Sequence, residues 1–191
     1  ITLDPHARQV QGFFTIPGDV LSGFPLLKEY LKNIRQQMVN PVVLTADLGF
    51  AKKARNYAEV LDVPMAFTEK RRVANDSKAK ALTLIGDVKD RDVVIVDDEV
   101  DTGGSIAQAV NLAKDMGARD VYVVFVHAVF SADCATRLAA LPVKQFITTN
   151  TVPILPEKKA LLGERLVVLS IAPLLGEVIR RANEGRSVGE M

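Results

Sequence analysis

Between residues 21 and 38 the apolar side chains Phe24, Leu27, Leu31, Ile34 and Met38 recur in steps of three and four, which lays a single stripe along a helix. Ser22 stands where a capping hydroxyl belongs, Pro25 falls in the first turn, where its missing N–H costs little, and Pro41 closes the segment. Residues 42–46 (VVLTA) read as a short buried strand, followed by a helix with Ala51, Ala54, Ala58 and Leu61 on its inner face. Further strands are predicted at residues 65–68, 81–87 and 92–97. The last contains an unbroken VVIV run, and a run without alternation marks a strand covered on both faces, as in a parallel sheet. Residues 69–80 (EKRRVANDSKAK) are polar throughout and read as a loop. A helix over 105–116, stopped by Gly117, leads into a strand over 121–126, so this region has the spacing of a strand–helix–strand crossover. The rest repeats the pattern more weakly: a helix over 132–141, strands over 144–148 and 165–169, and a helix opened by Ser170 that carries Ile171, Leu174, Leu175, Val178 and Ile179. Residues 1–21 carry little pattern and read as a connector.

Strands alternating with helices give an α/β class, and 191 residues with 48% hydrophobic content can bury one domain core. Lys plus Arg number 24 and Asp plus Glu 23, so the formal charge is +1, which removes the usual argument for a nucleic-acid or anionic-membrane surface. Apolar runs are of strand length, far below the ~18 residues of a membrane span. The single cysteine, Cys134, cannot form an internal disulfide and has no thiolate-activating neighbour, so a reducing, cytoplasmic setting is expected. The opening ITLDPHARQV has neither an initiator methionine nor the basic start and apolar stretch of a secretion signal, and a piece of a longer polypeptide is the expectation.

The chemistry concentrates in residues 93–105, VVIVDDEVDTGGS. A buried strand is expected to end in the adjacent carboxylates Asp97 and Asp98, with a tight turn of Asp101, Thr102, Gly103 and Gly104 before a helix opens at Ser105. In an open parallel sheet, ligands bind outside the carboxyl ends of the strands. Glycines let backbone N–H groups approach closely, and a helix N-terminus favours an anion, so a phosphate is the natural guest. Two acids beside it suit sugar hydroxyls or a Mg²⁺ with oxygen ligands. Asp, Gly, Thr and Ser are also common in any strand-to-helix turn, so a purely structural turn is the competing reading.

DDEVDTGGS resembles the phosphoribosyl-diphosphate (PRPP) binding loop of the phosphoribosyltransferase fold. Seven further segments are similar in order and spacing to the ribose-phosphate pyrophosphokinase (PRPP synthetase) family: TLDPHARQVQGFF (2–14), IPGDVL (16–21), TADLG (45–49), EKRR (69–72), LIGDVKDR (84–91), HAVFS (127–131) and TNTVP (149–153). The resemblance covers essentially the whole chain and implies a type I phosphoribosyltransferase-like fold, a mostly parallel sheet flanked by helices. It implies that residues 22–184 are the domain that binds ribose 5-phosphate and PRPP. Residues 1–21 would then be a connector from an N-terminal domain, and residues 185–191 a tail.

Family members move the β,γ-diphosphoryl group of ATP onto the C1 hydroxyl of ribose 5-phosphate, giving PRPP and AMP. By resemblance, Asp97 and Asp98 hold the ribose hydroxyls, while Asp101, Thr102, Gly103, Gly104 and Ser105 cradle the 5-phosphate. Lys70 and Arg72 take the positions of the catalytic pair in a flexible loop, and His6 and Asp47 match ligands of Mg²⁺, with Asp4 and Asp19 as weaker candidates. His127 is expected in the pocket wall and Asn150 in a turn beside the sugar. A homo-oligomer, commonly a hexamer, is implied, with part of the ATP site in the absent domain and in a neighbouring subunit.

Four positions depart from the family pattern. Ala46 and Phe50 replace the usual Pro and second Gly around Asp47, Thr15 replaces an acid, and Ser105 replaces Thr. A phosphoribosyltransferase acting on a base shares the loop but would not be expected to carry the DPHARQ and EKRR segments. A regulatory relative without turnover is disfavoured by Lys70, Arg72, Asp97 and Asp98. A generic dinucleotide-binding domain lacks support, since no G-x-G-x-x-G follows the first strand.

Overall fold

The computed structural model describes residues 1–72 and 80–189 of the protein. Its centre is a seven-stranded sheet built from β3 (Val42–Thr45), β4 (Met65–Arg72), β5 (Lys80–Ile85), β6 (Val93–Val100), β7 (Val121–Ala128), β8 (Gln145–Thr149) and β9 (Leu166–Leu169). The spatial order is β5-β4-β3-β6-β7-β8-β9, and every pairing is parallel except β4 with β5. Before it, β1 (Thr2–Leu3) and β2 (Val20–Leu21) form a separate parallel pair. Connections run on both faces: α1 (Phe24–Ile34) and α2 (Ala51–Leu61) on one, α3 (Gly104–Asp115) and α4 (Cys134–Ala139) on the other. The chain ends with α5 (Pro156–Leu162) and α6 (Ala172–Asn183).

The physical origin of the sheet is the row of valines and isoleucines. Val93 and Ile95 of β6 face the cluster that contains Ile106, Ala109, Val110 and Ala113 of α3, whereas Val94 and Val96 face the cluster that contains Leu27 and Leu31 of α1. All four strand residues are fully buried, and at about 1.5–3 kcal/mol per buried aliphatic side chain this double burial fixes β6 at the centre. From β3 the chain winds outward through β4, and from β6 it winds the other way through β7. The carboxyl ends of β3 and β6 therefore lie side by side at the switch point, where ligands bind in open α/β sheets.

The predicted helices and strands are all present, most with ends shifted by a residue or more, and four regions call for a physical reason. The first helix is shorter, with Arg35–Gln37 forming a 3-10 turn, because Gln36 and Gln37 carry nothing apolar to bury. The strand predicted to end at Asp97 continues to Val100, since Glu99 and Val100 pair with His127 and Ala128 of β7. Residues 69–72, expected as loop, extend β4 and pair antiparallel with β5, Lys70 opposite Leu82 and Arg72 opposite Lys80. Their polarity misled because a two-stranded arm beyond the sheet body needs no apolar face. The remainder of the predicted loop, 73–79, lies outside the described residues. Residues 1–21 are more ordered than their pattern implied, holding β1, β2 and a 3-10 helix at Arg8–Phe13. Among the described residues, no helix is long and apolar enough to cross a membrane.

Candidate functional site

A cleft of about 530 Å³ opens at the switch point, lined by Ala46, Asp47 and Leu48 after β3, Thr68 and Glu69 of β4, and residues 97–106, with His6 reaching in from the N-terminal segment. It gathers His6, Asp47, Asp97, Asp98, Asp101, Thr102, Gly103, Gly104 and Ser105 from the predicted set. A smaller adjoining cavity of about 310 Å³ is lined by His6, Asp47, Gly49, Phe50, Lys53, Asp97 and Asp98.

The floor is the turn into α3. Gly103 has φ +72, and a Cβ placed there would lie 3.0 Å from Cys134 Sγ and 3.3 Å from Leu138 Cδ2. Glycine is therefore required twice over, by backbone conformation and by contact with α4. Ala107 N–H donates to Gly103 O at 2.9 Å, so the amides of Gly104, Ser105 and Ile106 belong to the first turn and have no partner within the helix. The turn is braced from behind, because Ser131 N–H donates to Asp101 O at 3.0 Å and the Arg137 guanidinium donates to Thr102 O. Substituting alanine at Gly103 is expected to destabilise the protein by about 2 kcal/mol or more, through left-handed strain and the clash with α4. Chemical denaturation would measure this, and an unchanged midpoint would contradict it.

The acidic wall comes from β6. Asp98 N–H donates to Asp97 Oδ1 at 3.0 Å, and Glu99 N–H to Asp98 Oδ1 at 2.9 Å. The carboxyl of Asp97 is pushed up from its ordinary 3.8 to about 7. Burial is the main cause, opposed by the Asp98 amide and reinforced by the nearby negative charges of Asp98 and Asp47. His6 Nδ1 lies 3.1 Å from Asp98 Oδ2 and 3.8 Å from Glu99 Oε1. Asp47 precedes a 3-10 turn at Leu48–Phe50 and accepts from Gly49 N–H at 2.9 Å through Oδ1.

The departure at Phe50 has a simple outcome. Its ring turns inward with the α1–α2 cluster, beneath Lys53 Nζ at 5.3 Å from the ring centre, and does not line the larger cleft. The backbones of Lys70 and Arg72 lie on the β4–β5 arm, directly after Glu69 of the cleft lining.

Four sequence expectations need correction. His127 is not in the cleft wall: Nε2 donates to Asp4 O at 3.0 Å, and Nδ1 meets Thr151 Oγ1 at 2.9 Å. Asn150 does not flank the cleft either, because its Oδ1 accepts from Ile171 N–H at 2.8 Å, at the start of α6. The Asp4 carboxylate is occupied structurally, accepting from Gly23 N–H at 2.6 Å and Ser22 Oγ at 2.9 Å, with Lys53 Nζ 3.4 Å away. Asp19 is exposed outside the cleft, and its carbonyl accepts from Thr2 N–H at 2.8 Å. Thr15 is likewise exposed and does not line the cleft. Cys134 agrees with expectation: it is buried, and burial pushes its thiol up to about 11, away from thiolate character. Glu99 escaped the sequence reading because it was assigned to a turn; extending the strand to Val100 would have found it.

Residues 68–191 match the family described as the phosphoribosyl synthetase-associated domain. Across its whole length the chain is 44% identical to a ribose-phosphate pyrophosphokinase of Nostoc sp., covering 56% of that protein, and 38% identical to one of Clostridium acetobutylicum, covering 59%. It thus spans little more than half the length of these relatives. The crystal structure of phosphoribosylpyrophosphate synthetase from Mycobacterium smegmatis superposes over 96% of the chain with a TM-score of 0.86 at 38% identity, covering 58% of that chain. With the family matched from β4 to the C-terminal end and the same fold in a solved relative, the chain belongs to the phosphoribosyl synthetase-associated domain family.

Proposed function

We propose that this chain is the sugar-phosphate portion of a ribose-phosphate diphosphokinase, with residues 22–184 as the binding unit. The observation that carries the reading is the union, in one cleft, of the amides opening α3 with the carboxylates of Asp97 and Asp98. The amides of Gly104, Ser105 and Ile106 hold the 5-phosphate, with the helix dipole favouring its charge. Asp97 and Asp98 accept from the ribose hydroxyls, so an anchor distant from the reacting oxygen converts binding energy into orientation.

In the reaction, the C1 hydroxyl oxygen bonds to the β-phosphorus of ATP and gives up its proton to water, while the bond from that phosphorus to the α-bridging oxygen breaks and AMP leaves with that oxygen. Lys70 and Arg72 supply cations to the non-bridging oxygens as charge builds there.

Among the described residues, no three His, Cys, Asp or Glu side chains converge as a protein cage for a metal. Mg²⁺ rarely uses such a cage; it takes one or two protein ligands with water and substrate phosphates. The cleft fits that mode. The negative charges of Asp98 and Asp47 add to the burial that raises Asp97, and a His6 Nδ1–H donating to Asp98 leaves the Nε2 lone pair available. Asp47 and His6 would hold the ion, which neutralises phosphate charge. ATP as donor, a cytoplasmic setting and assembly with further copies of the chain belong to the same reading.

Calorimetry tests it. Ribose 5-phosphate and PRPP are expected to bind the 191-residue chain, while ribose without its phosphate gives no measurable heat. AMP release from ATP and ribose 5-phosphate is expected to be slow, because the chain spans about half the length of its relatives. Equal binding of ribose and ribose 5-phosphate would refute the phosphate cradle, and rapid AMP release would refute the division of the site.

A further inference from the structure

His6 reaches the cleft from a largely exposed position: its side chain is 65% exposed, and it meets the carboxylates of Asp98 and Glu99. What aims it must lie in the backbone that precedes it. Two residues earlier, Asp4 is 5% exposed and has φ +38, a left-handed conformation that is costly for a non-glycine residue and unusual before proline. Such a conformation persists where the surroundings over-determine it. Here they do. Asp4 N–H donates to Leu21 O at 2.9 Å, its carboxylate takes the Gly23 amide and Ser22 hydroxyl and lies beside Lys53, and its carbonyl accepts from His127 Nε2. Pro5 then fixes its own φ near −65°, so few torsions remain between the Asp4 anchor and the His6 ring.

His127 is the member of this set that ties the N-terminal segment to the sheet. It stands at the carboxyl end of β7, in register with Glu99 of β6, the neighbour of Asp98. Nε2 donates to the Asp4 carbonyl, and Nδ1 lies 2.9 Å from Thr151 Oγ1, whose hydroxyl also has Val126 O within 3.2 Å. The Thr149 hydroxyl meanwhile serves Val126 O at 2.8 Å. Contacts at both ring nitrogens thus hold the ring in one orientation.

We propose that Asp4 and His127 are positioning residues, a latch that holds His6 over Asp98 across the candidate cleft. The significance of His6 there rests on the sugar-phosphate reading; the latch itself does not.

The protein has two histidines, so any variant at His127 leaves His6 as its sole imidazole. In carbon-13 histidine-labelled protein, the His6 Hε1 resonance reports the latch directly. His127→Gln keeps an N–H donor at the place of Nε2, and His127→Ala removes it. In His127→Gln the resonance is expected to stay at its parent position and still shift on adding Asp98→Asn. In His127→Ala it is expected to move to the position of a free exposed imidazole, sharpen, and lose its response to Asp98→Asn. A His6 signal in His127→Ala that sits at the parent position and still responds to Asp98→Asn overturns the proposal. If that variant does not fold, Asp4→Ala, which removes the carboxylate from Gly23 N–H and Ser22 Oγ, is read in the same way; an unshifted signal there is equally fatal. No ligand enters these spectra. Failure of the parent to bind ribose 5-phosphate would therefore sink the sugar-phosphate reading alone, while an unmoved resonance would sink the latch alone.

Discussion

Replacing Lys70 with alanine is expected to lower turnover by a factor on the order of 10²–10³, with little change in affinity for ribose 5-phosphate. That is the usual loss when one preorganised group that stabilises transition-state charge is removed, about 2.7–4 kcal/mol. The split between rate and affinity follows from geography. The backbone of Lys70 sits on the β4–β5 arm, opposite Leu82, whereas the sugar-phosphate is assigned to the opening of α3 and to β6. An interaction made only as charge develops lowers kcat and kcat/KM together and leaves ground-state binding intact. AMP release should be followed in the longest polypeptide that carries this sequence, with calorimetry on the same preparation. A variant retaining more than about a tenth of the parental rate, or one that lost sugar-phosphate binding instead, would remove Lys70 from its assigned role.

Asp97→Asn should act in the opposite sense, on affinity and on stability at once. Losing a charged acceptor for a sugar hydroxyl costs about 1.5–3 kcal/mol, or ~10- to 100-fold in Kd for ribose 5-phosphate. The stability effect comes from the pKa raised from 3.8 to about 7. Between those values the folded protein retains a proton that the unfolded chain has released, so stability falls as pH rises through the window and is level above it. Asparagine never ionises and escapes that loss. The variant is therefore expected to be more stable than the parent at pH 8, by about 2 kcal/mol once partial exposure is discounted, and to lose the advantage near pH 4. Denaturant midpoints at the two pH values measure it, and a variant less stable than the parent at pH 8 would contradict the burial of an ionised Asp97. Together the two effects describe a carboxylate kept in an unfavourable place because the ligand needs it there.

Sequence and structure agree most closely where hydrophobic burial decides. The VVIV run could only be a strand with both faces covered, and the apolar stripes at Leu27, Leu31 and at Ala54, Ala58, Leu61 could only be helices facing that sheet. DDEVDTGGS was likewise legible as a strand end running through a tight glycine turn into a helix, and the structure places that turn in the cleft lining. Agreement fails where polar side chains could make either solvent or protein contacts. Residues 69–72 looked like loop, yet backbone pairing with β5 makes them strand, a partnership that no local pattern encodes. Phe50 stood out only as a departure from the family pattern, and its place between the α1–α2 cluster and the smaller cavity depends on what those helices leave open.

The histidines show the division most clearly. Their identities and spacing, with one near the start and one after a valine-rich strand, are written in the sequence, as are the carboxylates around which a phosphate sugar would sit. Only the fold decides that His127 bonds to the backbone of Asp4 and that His6 meets Asp98, contacts that span 123 and 92 residues of chain. Burial and turn chemistry are local and additive enough to be read along a line. Which polar group meets which depends on the crossing of β6, β7 and the N-terminal segment in space, and that crossing exists only once the sheet has closed around its core.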